Sequence, residues 1–223
     1  MKRFFLPLFI IFWFNAQAQE NLATPDLPNI VLIFMDDMGY GDLGVYGGYP
    51  QQTSNLNQLA ATGMRFTNFY AAQAVCSASR AALLTGCYPN RLSISGALMP
   101  WSTVALNPTE ETLASLVKKK GYKTGMIGKW HLGAKAPYLP TSYGFDSYFG
   151  LPYSNDMWPV GFDGKPVTDT ADRKFKYPPL YLLEGTEPVK LIQTLEDQSQ
   201  LTGMYTERAV EFIDRNKENP FFL

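Results

Sequence analysis

Three short stretches of this sequence bring together residue types that handle anions and metal ions. The first is "AVCSASRAALLTG", in which Cys76 precedes Ser77, Ala78, Ser79 and Arg80 at the mouth of an apolar helical run. A helix N-terminus presents free N–H groups and the positive end of its dipole to an anion. Arg80 adds a bidentate fork suited to a tetrahedral oxyanion, and Cys76, just ahead of the helix, stands at the anion's central atom. The second stretch is the pair Asp36-Asp37. Adjacent carboxylates repel one another unless a cation lies between them, and calcium or magnesium takes such oxygens. Neighbouring strand residues point to opposite faces, so both acids ligate one ion only if the chain turns at Asp36. The plainer alternative is that one of them caps a helix.

The third stretch is "GKWHLG", with Lys129 and His131 two positions apart and Trp130 between them. On an extended segment the two share a face. Lysine supplies a point charge for an anion, and histidine moves a proton near neutral pH. Taken alone, they read better as a structural ion pair and a core imidazole. Taken together, the three stretches describe a site for a sulfate or phosphate ester, with Cys76 at the nucleophile's position.

The chain has two cysteines, Cys76 and Cys87. If the intervening segment is helical, its eleven residues separate them by roughly 16 Å, whereas a disulfide needs Cα atoms within about 7 Å. They are not expected to pair, although the N-terminus points to an oxidising compartment. Lys2 and Arg3 precede the apolar run "FFLPLFIIFWF" and an Ala16-Gln17-Ala18 cleavage pattern. That is the layout of a secretory signal, and the run is shorter than the ~20 residues of a spanning helix. Residues 1–18 are therefore read as a signal cleaved near Ala18, and the mature chain as secreted or periplasmic with no membrane span.

The elements that must hold the site alternate in type. "NIVLIFM" (29–35) reads as a strand buried on both faces, ending at Asp36 and a Gly-rich loop. A helix follows over "TSNLNQLAATG", capped by Thr53 or Ser54, with Leu56, Leu59 and Ala60 inward. "MRFTNFYA" alternates as a strand, and residues 79–85 form the next helix. "NPTEETLASLVKKKG" reads as a helix capped by Thr109, and "YKTGMIG" as a strand leading into Lys129 and His131. Residues 138–187 read as long ordered loops. Thr202–Pro220 forms an amphipathic helix with Tyr205, Ala209, Phe212 and Ile213 on one side, and "PFFL" opens a further buried strand. This alternation predicts an α/β architecture with a mostly parallel sheet, in which ligands gather beyond the carboxyl ends of the strands.

With 223 residues, 46% of them hydrophobic, the chain can build a sizeable core, and its net charge of −1 argues against a nucleic-acid partner. The basic triplet Lys118–Lys120 suits a helix C-terminus.

"PNIVLIFMDDMGYGDLGVYGG", "CSASRAALLTG", "GYKTGMIGKWHLG" and "GLPYSND" resemble, in order, the motifs of the formylglycine-dependent type I sulfatases, most closely those similar to arylsulfatase A. The resemblance runs from about Pro28 to the last residue. It implies an alkaline-phosphatase-like α/β fold, with residues 19–223 as the N-terminal part of the catalytic domain, incomplete at its C-terminus. It also implies that Cys76 is oxidised by a formylglycine-generating enzyme to an aldehyde, whose hydrate attacks the sulfur of a sulfate ester, aryl or glycan. Asp36 and Asp37 resemble calcium ligands, with residue 76 as a further ligand. Arg80, Lys129 and His131 resemble the anion-stabilising and proton-handling groups, and Ser154 a substrate contact. Ala78 stands where the family's Cys-x-Pro-x-Arg pattern has proline. The family's second catalytic histidine, second lysine and two more calcium ligands lie beyond the matched motifs, so a chain ending at Leu223 is expected to be inactive alone. Two other readings are a formylglycine-dependent phosphodiesterase or phosphonate hydrolase, and a non-catalytic domain that binds sulfated glycans.

Overall fold

Lys123–Ile127 lies between Gly121 and Gly128, both with positive φ, and forms β1, an interior strand of a five-stranded sheet. The computed structural model describes residues 27–49 and 52–223; the expected signal at residues 1–18 lies outside them. Strands β2 (Ser147–Gly150), β3 (Leu180–Glu184), β4 (Glu187–Ile192) and β5 (Phe221–Phe222) complete the order β4-β3-β2-β1-β5. β1 pairs in parallel with β2 and β5, whereas β2–β3 and β3–β4 are antiparallel. The parallel core expected from the alternating pattern is thus present, extended by a hairpin into a mixed sheet.

Among the described residues, five α-helices accompany it: α1 (Ser54–Thr62), α2 (Cys76–Thr85), α3 (Leu113–Lys118), α4 (Leu195–Ser199) and α5 (Leu201–Asn216). Successive strand residues face opposite ways, and two cores result. Tyr148 and Leu183 join Ala78, Ala81, Ala114 and Trp130 under α2 and α3. Phe149 and Leu182 join Leu180, Ile192 and Leu201 on the other side. The Phe212 ring of α5 lies so close to Gly125 that a Cβ there would stand 2.6 Å from it.

Several expectations are corrected. Residues 138–187 are not all loop: they hold β2, β3 and the start of β4. The signal was the two-residue link Gly185-Thr186, with Gly185 at φ 62°, between "LYLLE" and "EPVKLI". The segment 29–35 is not a strand buried on both faces. Only Ile30 bridges, to Phe222, and Ile33 is 70% exposed. The amides of Ile30 and Leu32 donate to the carbonyls of Phe221 and Leu223 at 2.8 and 2.7 Å, and among the described residues nothing pairs with the opposite edge. "PFFL" does enter the sheet, and Phe221 and Phe222 are buried.

"MRFTNFYA" is not a strand either. Tyrosine hydroxyls hold its backbone in place of a ladder: Tyr46 donates to the Phe66 carbonyl at 2.7 Å and Tyr40 to that of Phe69 at 3.2 Å. Leu56 and Leu59 of α1 are exposed, not inward, because α1 meets the loop at Gly44–Tyr46 through polar groups, Thr53 and Asn57 accepting from the amides of Gly44 and Val45. Helix α3 is capped by Thr112 rather than Thr109. The Thr112 hydroxyl accepts from the Ser115 amide at 3.1 Å and donates to the Tyr143 carbonyl, a buried partner that Thr109 lacks.

The feature that matters most for the site lies just past β1. The β1–β2 ladder continues beyond Ile127: the amides of Gly128, Trp130 and His131 donate to the carbonyls of Phe149, Leu151 and Pro152 at 2.9, 2.9 and 3.1 Å. The two backbones approach so closely that a Cβ on Gly150 would sit 1.8 Å from the Gly128 oxygen. That atom is backbone and cannot swing away. Gly150→Ala is therefore expected to destabilise the protein by about 3 kcal/mol or more, read as the shift in the urea unfolding midpoint, whereas Gly96→Ala, which meets nothing within 4 Å, serves as the control with little effect.

Candidate active site

Helix α2 begins at Cys76, three residues earlier than the expected start at Ser79, because the Ser79 amide already donates to the Val75 carbonyl at 2.8 Å. Cys76 therefore occupies the first turn, half-buried, and Val75 provides no side-chain cap. Cys76 and Cys87 are both free thiols, as their spacing required. Small residues allow the helix to lie against the core: Ser77, Ala78 and Ala81 have no exposed surface. Arg80 stands one turn after Cys76, on the same face, and the two interact electrostatically.

Arg80 joins the elements. Its Nη1 donates to the Lys129 carbonyl at 2.6 Å, fastening α2 to the end of β1, and its Nη2 lies 3.4 Å from Asp36 Oδ1. Its guanidinium also sits 5.4 Å from the centre of the Phe34 ring. Lys129 Nζ reaches the other Asp36 oxygen at 2.6 Å. One carboxylate thus bridges two largely buried cations. Burial alone would raise the Asp36 pKa, but Lys129 and then Arg80 outweigh it and hold the group below its ordinary value.

His131 is almost completely buried and has φ 61°, in the left-handed region. A non-glycine residue held there is a mark of a strained, functional position. Its Nε2 meets the Leu98 carbonyl at 2.7 Å, while Nδ1 is buried with no partner. Burial, opposed by the Leu98 hydrogen bond and assisted by the charges of Lys129 and Arg80, lowers its pKa to about 4. The neutral ring must donate from Nε2 to the carbonyl, which leaves Nδ1 as an acceptor. Arg80 Nε is a second buried polar atom without a partner.

Asp36, Arg80 and Lys129 are thus in contact, and His131 is within their electrostatic reach. Asp37 has φ 56°, so the chain does turn at this pair. Ser154 is buried two residues beyond Pro152, which accepts from the His131 amide; no side-chain bond links it to the cluster. Sequence reasoning missed Ser77 and Leu98. The Leu98 amide donates to Ser77 Oγ at 3.0 Å while its carbonyl holds His131. A residue that acts through its backbone leaves no side-chain signal.

Residues 28–223 match the family model described as Sulfatase. The chain belongs to the sulfatase family. It is 51% identical to human arylsulfatase A over 215 residues, covering 91% of this chain and 41% of that protein. With human N-acetylgalactosamine-6-sulfatase the identity is 39% over 219 residues, covering 90% and 39%. The PsFucS1 sulfatase structure from Pseudoalteromonas sp. superposes with a TM-score of 0.74 at 31% identity, covering 88% of this chain and 43% of that one. The alkaline-phosphatase-like sulfatase fold expected from the motifs is therefore shown. The chain spans about 40% of the length of the curated relatives it matches.

Sulfatases in general use formylglycine and calcium. Carboxylates are the hard oxygen donors that calcium prefers, and Asp36 and Asp37 fit part of such a site. Calcium takes about 6–8 oxygens, however, and among the described residues no three His, Cys, Asp or Glu side chains are grouped to hold a metal.

The His131 shift has a measurable consequence. Its folded pKa of about 4 lies below the ordinary 6.5, so the unfolded chain takes up the proton first as pH falls. The stability contributed by this neutral group is complete above pH 6.5. It is lost between pH 6.5 and 4, by at most about 1.4 kcal/mol per pH unit. Urea unfolding midpoints should fall across that window, and His131→Asn should flatten the slope; equal slopes in both proteins would remove His131 as the cause.

Proposed function

We propose that this chain carries the nucleophile-bearing part of a sulfate-ester hydrolase. The observation that supports it most is the Asp36–Lys129–Arg80 cluster beside the first turn of α2, where Cys76 lies, in a chain matched to the Sulfatase family over residues 28–223. In this reading Cys76 is converted to formylglycine by a modifying enzyme, with Ala78 accepted in place of the usual proline. The modification supplies a geminal diol, one hydroxyl of which attacks sulfur while the other later expels sulfate. Asp36 and Asp37, together with residue 76, would hold part of a calcium ion's coordination shell, and such an ion would supply positive charge for the sulfate oxygens.

The chain's own residues then divide the work. Arg80 and Lys129 present guanidinium and ammonium donors to the sulfate, which takes positions now engaged by the Asp36 carboxylate. Largely desolvated cations stabilise developing negative charge far better than exposed ones. His131, fixed by the Leu98 carbonyl with Nδ1 as acceptor, takes the proton from the second hydroxyl. Ser154 contacts the substrate. The ester is an aryl or glycan sulfate, a range that the names of the relatives also span. Secretion or periplasmic export through residues 1–18 completes the proposal; no helix among the described residues is long and apolar enough to cross a membrane.

The test is expression of the full-length protein with a formylglycine-generating enzyme. Mass spectrometry of the peptide spanning residues 66–80 should show the aldehyde in place of the thiol. Sulfate release from an activated aryl ester should disappear in Cys76→Ala and fall about 10²–10³-fold in Lys129→Ala. Retained turnover in Cys76→Ala would exclude this nucleophile, and turnover of phosphodiesters alone would shift the reading to phosphate chemistry.

A further inference from the structure

Three tryptophans lie among the described residues. Trp130 and Trp158 are 1% and 3% exposed, whereas Trp101 is 50% exposed. An aromatic ring of this size left in water forgoes much of the largest apolar burial a side chain can offer. It is nevertheless not loose. Its ring stacks on Tyr177 with centroids 5.4 Å apart and planes 26° from parallel, and Tyr177 is itself buried. With one face on tyrosine, the half of the ring in solvent is its outer face and edge.

The loop that carries Trp101 starts in the wall of the active site. The Leu98 amide donates to Ser77, next to Cys76, and its carbonyl takes the His131 Nε2 hydrogen bond. A turn closed from the Ser102 amide to the Met99 carbonyl at 2.8 Å then presents Trp101. Three residues span at most about 11 Å, so the loop that presents the ring begins at residues that touch the site. The Arg173 guanidinium lies 5.9 Å from the centre of the same Tyr177 ring, a second group packed on that tyrosine.

We propose that Trp101 is a specificity-determining residue, on which a saccharide ring of a sulfated glycan stacks while its sulfate occupies the Arg80–Lys129 site. The inference rests on the sulfate-ester reading above. A pyranose offers a flat C–H face to the indole. A small aryl ester ends close to the sulfur and has no second ring to lay there. A rigid, preorganised ring raises affinity because little entropy is lost when it is covered.

In the full-length modified enzyme, Trp101→Ala should raise KM for an O-sulfated disaccharide about tenfold, with kcat changed by less than about twofold, and should lower kcat/KM for nitrophenyl sulfate by a clearly smaller factor. Trp101→Phe should recover most of the disaccharide affinity. Equal losses on the two substrates, or an unchanged disaccharide KM, would overturn the assignment. Failure of the sulfatase reading is distinguishable, because wild-type enzyme would then release sulfate from neither ester. In that event calorimetry with the disaccharide in a Cys76→Ala background still decides: about tenfold weaker binding on adding Trp101→Ala supports the platform, and equal or absent binding rejects it.

Discussion

Two cations largely withdrawn from water, Arg80 and Lys129, meet at one carboxylate, and the rest of the site depends on that meeting. Arg80 comes from α2, Lys129 from the end of β1, and Asp36 from the end of an edge segment. No secondary structure joins these three stretches directly. Without the anion, the ammonium and guanidinium groups would repel across a poorly solvated space, and desolvating either alone costs several kcal/mol. The carboxylate answers that repulsion and fixes the positions of both. It is also replaceable. In the proposed reading a sulfate monoester brings the same single negative charge to the same donors, so exchange of one anion for the other need not move the scaffold.

That scaffold is backbone. The ladder between β1 and β2 runs past the formal strand ends and carries Lys129 and His131 with it, which requires Gly128 and Gly150 to touch. His131 is then turned into the left-handed region and pinned through Nε2. Two buried polar atoms, Arg80 Nε and His131 Nδ1, remain without partners nearby. A stable core does not ordinarily leave such atoms unpaired, and both belong to groups of this cluster.

Much of this was legible in the sequence, and the limits have physical causes. β1 was readable from its apolar run between local glycines, and α5 from its amphipathic period. Cys76, Arg80, Lys129 and His131 stood out through unusual residue types near expected strand or helix ends. The contact of Asp36 with both cations was not readable, since it spans 44 and 93 residues. The segment 29–35 misled because its composition matches a strand covered on both sides, whereas coverage is a property of the neighbours. Tyr40 and Tyr46 misled in a different way, since their hydroxyls replace a ladder that an alternating pattern would suggest. β2 was missed because four residues are too few to show a period.

The pairing of Ile30 and Leu32 with Phe221 and Leu223 also fixes an order of events. Phe221 donates to the Asn29 side chain across 192 residues of chain, so this closure carries a large loop entropy. Contacts of such long range form late in folding. In chain order α2 and β1 both precede β5, on whose residues the segment leading to Asp36 aligns. The approach of Asp36 to its two cations is therefore backed by a strand made later than either of them.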